Sequence, residues 1–253
     1  GRTLDILHKH FNYSPLLFSA DSIVPLVTTL HGSGVEAEAK AGYLLHRDRP
    51  YVSISDAERA LVPELNYVAT VYNAIDTSLF SCQSKQGEYL VQVGRIHPDK
   101  GVHHTIELAR LLKRPLYLAG PIPSDQRVYF ETQIEPFIDN ETVFYQGNLS
   151  PPEVRDLVSH ALAFVGLIEF DEAFGLAVVE AMACGTPVIG MKRGAHVETI
   201  MDGQTGILVS SVTEALERFD EVVTMDRQQC AVLTAERFCI NRMTEGYLNV
   251  YEH

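Results

Sequence analysis

Short apolar runs alternate with amphipathic stretches along most of the chain, and from residue 88 onward the alternation is regular. Tyr89–Val93, Leu116–Ala119, Val143–Tyr145, Leu162–Leu167, Pro187–Gly190 and Ile207–Val209 read as strands. Helices are expected between and after them, near 102–113, 125–138, 151–160, 175–184, 195–201 and 212–224. A strand–helix alternation of this kind is the signature of an α/β, doubly wound parallel sheet. Gly94, Gly120, Gly147 and Gly206 fall where strands begin or end and a tight turn needs a residue without Cβ. Residues 77–230 therefore read as one complete Rossmann-like domain.

Residues 1–76 follow the same pattern less completely. Strands are expected at Leu4–His8, Pro25–Leu30, Tyr51–Ser55 and Val68–Tyr72, with helices near 34–46 and 56–62. This is the latter part of a second Rossmann-like unit. Asn73–Asp76 leads into a linker, and Ser81–Gly87 is polar enough to be a boundary. Residues 231–253 predict a helical tail with Phe238, Met243, Tyr247 and Tyr251 at near-helical spacing. Its apolar stripe needs a surface, and the first domain is the expected one.

Composition narrows the function classes. A net charge of −13 argues against nucleic-acid binding, which needs a basic face. It leaves room for a nucleotide, for which two or three local cations suffice. The hydrophobic share of 46% and charged share of 21% are ordinary for a globular protein. The four cysteines show no C-x-x-C pairing and read as reduced thiols, Cys184 as a core residue. The chain starts Gly1-Arg2-Thr3 without the apolar core of a signal peptide, and its longest apolar run, Ala161–Ile168, is far short of a membrane span. The expected location is cytoplasmic.

The densest chemistry lies in residues 169–190, EFDEAFGLAVVEAMACGTPVIG. Phe174, Gly175 and Leu176 form a bend that opens a helix, where free amides and the positive end of the dipole suit an anion. Glu172 and Glu180 flank that bend. Repelled by a phosphate, they are suited to accept hydrogen bonds from hydroxyls elsewhere on a ligand, which together describes a nucleotide-sugar site. The loop Gly94–Gly101 carries Arg95 and Lys100, two cations five residues apart at a strand's carboxyl end, able to converge on one diphosphate. It is not a Walker A loop, and no Asp-x-Asp occurs, so the expected site holds its diphosphate with no metal and no cofactor. Gly32-x-Gly34-x-x-Ala37 with Asp56 fits a dinucleotide fingerprint on paper, but the strand–helix unit before it is incomplete. His8-Lys9-His10 and His103-His104 lack nearby Cys or spaced carboxylates and read as satisfied or exposed histidines.

Taken together, Val93-Gly94-Arg95 with Lys100-Gly101, Tyr145-Gln146-Gly147, the run from Glu172 to Val188, and Gly194-x-x-x-Glu198 with Gly203-x-Thr205-Gly206 resemble glycosyltransferase family 4. The match is specific over residues 66–209 and looser at both ends. The resemblance implies a GT-B fold of two Rossmann-like domains facing a cleft, and a retaining, metal-independent transfer of a hexose from a nucleoside diphosphate sugar to an unidentified acceptor hydroxyl. It further implies that Arg95 and Lys100 hold the diphosphate and that Glu172 binds hydroxyls of the sugar. Glu180 would accept from the ribose, and the backbone at Gly94, Phe174, Gly175 and Leu176 would meet the donor. The turn from Gly147 to Glu153 would lie along the base, and His31 would face the sugar from the first domain. Ala173 and Leu167 stand where that family commonly has Pro. The family's opening strand and Gly-rich loop do not precede Leu4, so the chain is expected to lack about 80 to 100 residues of that domain. UDP-glucose is the default donor; a truncated or non-catalytic nucleotide-sugar-binding module, or an epimerase or hydrolase of nucleotide sugars, remains open.

Overall fold

A computed structural model describes residues 4–10, 13–14, 16, 24–32, 36–83 and 86–252. Residues 33–35 of the dinucleotide-like stretch, with its Gly34 and the expected start of the helix at 34, lie outside the described residues, as do Gly1–Thr3 and residues 84–85 of the 81–87 boundary. Two parallel sheets organise the chain. The first has four strands, β1 (Leu7–Lys9), β2 (Leu26–Thr29), β3 (Tyr51–Ser53) and β4 (Tyr67–Thr70), in the order β1-β2-β3-β4. The second has six: β5 (Leu90–Val93), β6 (Leu116–Ala119), β7 (Val143–Tyr145), β8 (Ala163–Gly166), β9 (Val188–Met191) and β10 (Gly206–Val209), in the order β10-β9-β8-β5-β6-β7.

All six strands expected after residue 88 are present, because strands covered on both faces must be apolar throughout and so stand out as runs. Leu90, Val91, Leu116, Leu118, Ala163 and Val165 are all at most 1% exposed. From β5 the chain builds outward through β6 and β7, then returns to place β8 on the other side of β5. That reversal opens a crevice at the carboxyl ends of β5 and β8, where ligands bind in open α/β sheets.

Three local expectations change. The first strand begins at Leu7 rather than Leu4, because pairing with β2 aligns Leu7 with Leu26 and Lys9 with Thr28. The segment 125–138 is not one helix. It passes through a 3₁₀ turn at Ser124–Gln126, a single α turn, a wide π-type stretch at Phe130–Ile134 and another 3₁₀ turn at Glu135–Phe137. Pro136 accounts for this, since it has no N–H for the carbonyl four residues back and its ring crowds that carbonyl. The tail is two helices, Arg227–Phe238 and Ile240–Tyr251, broken at the extended Cys239.

The first of these helices stays with the larger sheet's domain, where Cys230 and Phe238 sit in one apolar cluster with Val178, Val179 and Met182 of the helix Leu176–Ala183. Arg227 is buried there and donates to the carbonyls of Ala161 (2.9 Å) and Ser159 (2.6 Å). Only the second crosses to the small sheet, where Met243, Tyr247 and Val250 pack on Val27, Val52 and Val71.

The domains touch through directed bonds as well. Glu198 accepts from the amides of Asp56 (2.8 Å) and Ala57 (2.7 Å) at the start of the helix Asp56–Arg59, and from the Tyr72 hydroxyl (3.1 Å). A carboxylate on free amides at a helix start is favoured by both hydrogen bonding and the dipole. Ser55 donates to the Ala173 carbonyl at 2.6 Å, and the Ile75 amide donates to the Phe238 carbonyl at 2.9 Å.

The same short helix buries a carboxyl. Glu58 is 1% exposed, and among the described residues neither of its carboxylate oxygens has a hydrogen-bond partner at standard geometry, although the backbones of Ile54 and Gly32 lie near it. Burial pushes its carboxyl up to about 7. A raised carboxyl contributes stability that is complete below about pH 4.5 and is lost as pH rises through 7, by up to about 3 kcal/mol. Glu58→Gln is therefore expected to unfold at higher denaturant than the parent at pH 8 and at similar denaturant at pH 4.5. Equal midpoint shifts at the two pH values would contradict a buried, proton-linked Glu58.

Candidate functional site

The crevice at the β5–β8 reversal is a cleft of about 400 Å³ closed on its far side by the small domain. Each wall is placed by a loop whose shape follows from its residues. After β5 the chain turns through the 3₁₀ segment Pro98–Lys100 and into the helix Val102–Leu112. Gly101 joins them at φ +61°, and a Cβ there would stand 1.7 Å from the Leu167 carbonyl oxygen, so only glycine lets the two loops close. Gln92 fixes this turn, its side-chain amide donating to the Lys100 carbonyl at 2.6 Å. After β8 the chain runs to Gly175, at φ +82°, and opens the helix Leu176–Ala183. The first-turn amides of that helix face the cleft with no side-chain cap.

Lys100 and Glu172 meet between the two loops. The Lys100 ammonium donates to the Glu172 carboxylate, and both side chains are largely shielded, at 22% and 19% exposure. The ammonium also lies 4.6 Å from the centre of the Phe170 ring. The Glu172 loop is anchored from behind, its carbonyl accepting from the Ala195 amide at 2.8 Å and Arg193 bonding Asp171 at 3.2 Å.

From the small domain His31 enters the cleft, with its Nε2 3.0 Å from Nδ1 of His10. Burial, and then the second imidazole, lower the His31 pKa, so the ring stands neutral and can donate or accept. Behind this pair His8 bridges Thr29 (2.7 Å) and Tyr251 (2.5 Å), and Thr29 bonds Tyr247 (3.2 Å). The final helix thereby fixes the histidines that face the cleft.

The structure thus brings Lys100, Glu172, His31, Gly94, Phe174, Gly175 and Leu176 around one cavity, and leaves three expected residues outside its lining. Arg95 is exposed, one residue beyond Gly94, and its charge acts on Asp125 instead. Glu180 lies half-buried on the helix Leu176–Ala183, its carboxyl raised by burial and opposed by Arg155. Gly147 lies beside a separate depression of about 550 Å³ flanked by Gln146, Leu149 and Glu153.

Two cleft residues escaped the sequence reading. Gln92 keeps its side-chain oxygen buried, with no hydrogen-bond partner among the described residues. His196 sits beneath the start of the helix Leu176–Ala183 in a slot walled by Gly166, Gly175 and Gly190, and is 1% exposed. Burial, assisted by Lys100, pushes it down to about 4. It is therefore a neutral floor under the uncapped amides that open this helix. A histidine opening the short helix His196–Thr199 after β9, two residues past Gly194, was the available signal. Among the described residues one group has metal-ligand character, His103, His104 and Glu169, and none of the three lines the cleft.

The family model described as glycosyl transferases group 1 matches residues 78–234. The trehalose synthase of Pyrococcus horikoshii is 30% identical over 177 residues, 64% of this chain and 43% of that one. The D-inositol 3-phosphate glycosyltransferase of Mycobacterium leprae is 22% identical over 98% of this chain and 68% of its own. The chain spans less than half the length of the trehalose synthases it matches. Among solved structures, Anabaena Alr3699/HepE in complex with UDP superposes with a TM-score of 0.82 at 18% identity, over 98% of this chain and 78% of that one. Sucrose-phosphate synthase from Thermosynechococcus elongatus gives 0.79 at 18% identity, over 98% and 73%. The fold is GT-B.

The neutral His196 has a measurable consequence. Its folded pKa lies below that of a free imidazole, so the stability present above pH 6.5 is lost as pH falls toward 4, by up to about 3 kcal/mol. His196→Gln, followed by denaturant unfolding at pH 7 and pH 4.5, is expected to lose about 2–3 kcal/mol less than the parent between those values. An identical loss in both proteins would show that His196 is not buried neutral.

Proposed function

Because the chain belongs to the glycosyl transferases group 1 family, we propose that its cleft transfers a hexose from a nucleoside diphosphate sugar to an acceptor hydroxyl, as a retaining, family 4 enzyme. The observation that carries this reading is the meeting of Lys100 and Glu172 under the uncapped start of the helix Leu176–Ala183. A diphosphate set against those amides takes Lys100 as its counter-ion, and Glu172 is released to hold hydroxyls of the sugar. Arg95, exposed next to Gly94 and outside the cavity lining, is the second cation in this reading. Negative charge on the diphosphate grows as the glycosidic bond breaks, so the cations favour the transition state over the bound donor. No carboxylate is needed as a nucleophile: the departing diphosphate takes the acceptor's proton on the face it leaves, and configuration is kept.

His31 faces the sugar from the opposite wall as a neutral hydrogen-bonding group. Glu180 accepts from the ribose, and the Gly147–Glu153 turn lies along the base. UDP-glucose is the donor proposed, in keeping with the UDP and UDP-glucose complexes of HepE. The diphosphate is held without a metal ion. Four free thiols, and no helix among the described residues long and apolar enough to cross a membrane, fit the cytoplasmic setting proposed for it.

The test is calorimetry with UDP followed by transfer and donor-hydrolysis assays on the intact protein, with and without Mg²⁺. Lys100→Ala and Arg95→Ala are each expected to lower turnover about a hundredfold or more, the usual cost of removing one charge-stabilising contact. Glu172→Gln is expected to impair sugar transfer far more than UDP affinity, and equal loss of both would contradict its role. Sugar released at an acceptor-independent rate would reassign the site to hydrolysis, and absence of UDP binding would end the reading altogether.

A further inference from the structure

A second cluster lies on the other side of the same two loops. His103 and His104 stand in the first turn of the helix Val102–Leu112, and Glu169 follows β8. Glu169 Oε1 lies 2.7 Å from His104 Nε2 and 3.5 Å from His103 Nε2, so both outer ring nitrogens converge on one carboxylate oxygen. The other nitrogens are engaged elsewhere: His103 Nδ1 bonds the Tyr129 hydroxyl at 2.9 Å, and His104 Nδ1 lies 3.9 Å from Glu107 Oε2. One ligand atom from each of the three residues falls within 4.8 Å of the other two.

We propose that His103, His104 and Glu169 form a binding site for a divalent cation of the zinc class, separate from the donor cleft. Two imidazoles and a carboxylate are donors that suit zinc, and three protein ligands leave its fourth position to water. Bonds of about 2.0–2.2 Å place tetrahedral ligand atoms roughly 3.4 Å apart, so the cluster needs only small side-chain movements to admit the ion. Histidines that ligate through one nitrogen are commonly oriented through the other by a hydroxyl, carboxylate or carbonyl, which is the part Tyr129 plays for His103. The two imidazoles lie side by side with ring centres 4.1 Å apart.

The cluster has a mechanical place in the fold. The Glu169 amide donates to the Asp99 carbonyl at 2.7 Å, next to Lys100, and Glu169 precedes Glu172 by three residues. An ion here ties the helix that follows the Lys100 turn to the loop that carries Glu172.

Equilibrium dialysis against Zn²⁺, with thermal unfolding in parallel, tests the site independently of any glycosyl transfer. The parent is expected to bind one Zn²⁺ per chain and to melt at higher temperature in its presence. His104→Ala and Glu169→Gln should each weaken binding at least about tenfold and abolish the shift, while Tyr129→Phe, which removes only an outer partner, should weaken it by about tenfold. His160→Ala, outside the cluster, should change neither. Glu169 is exposed enough that its variant keeps the fold if His104→Ala does not. No stoichiometric binding at micromolar zinc, or binding that survives in Glu169→Gln because it resides at His10 and His31, overturns the proposal.

Discussion

The ion pair between Lys100 and Glu172 spans the place where the larger sheet reverses its strand order, and the cleft is organised around it. Each partner alone would be a poor occupant of a crevice that is largely shielded from water, where an uncompensated charge is costly to bury. Together they neutralise each other and draw the two loops into contact, which Gly101 permits by standing against the Leu167 carbonyl. On the donor-binding reading proposed above, a diphosphate competes with Glu172 for one ammonium, which would make anion capture and liberation of the carboxylate a single event.

How much of this was legible depends on the range of the interaction. The six strands of the larger sheet could be read because both their faces are covered and nothing polar interrupts them. Lys100, Glu172 and Gly175 could be read because a cation, an acid and a helix-opening glycine at strand ends are local signals. The first strand slipped by three residues because its limits come from pairing with β2, and it carries Lys9, buried at 7% exposure, its ammonium over the Tyr43 ring at 5.6 Å and without a hydrogen-bond partner among the described residues, which no local pattern foretells. Arg95 and Lys100 looked equivalent in sequence. The Pro98–Lys100 turn between them sends one inward and leaves the other exposed. His103 and His104 looked isolated because their carboxylate lies 65 residues further along the chain.

The pull of buried titratable groups was hidden for the same reason. Glu58 sits in a helix whose partner Glu198 comes from the other domain, and His196 lies in a slot whose walls are glycines from three separate elements. The two have opposite proton linkage. Falling pH costs the fold its neutral imidazole, and rising pH charges its neutral carboxyl, so between about 4.5 and 6.5 their contributions partly cancel.

The chain passes between its two halves twice, at Ile75 and at Cys239, and the passages run parallel and side by side, bridged by the bond from the Ile75 amide to the Phe238 carbonyl. A single tether would leave one lobe free to swivel about it in any direction. Paired tethers resist twist about the strap, and with the Glu198 and Ser55 bonds nearby they fix how the two lobes stand against one another.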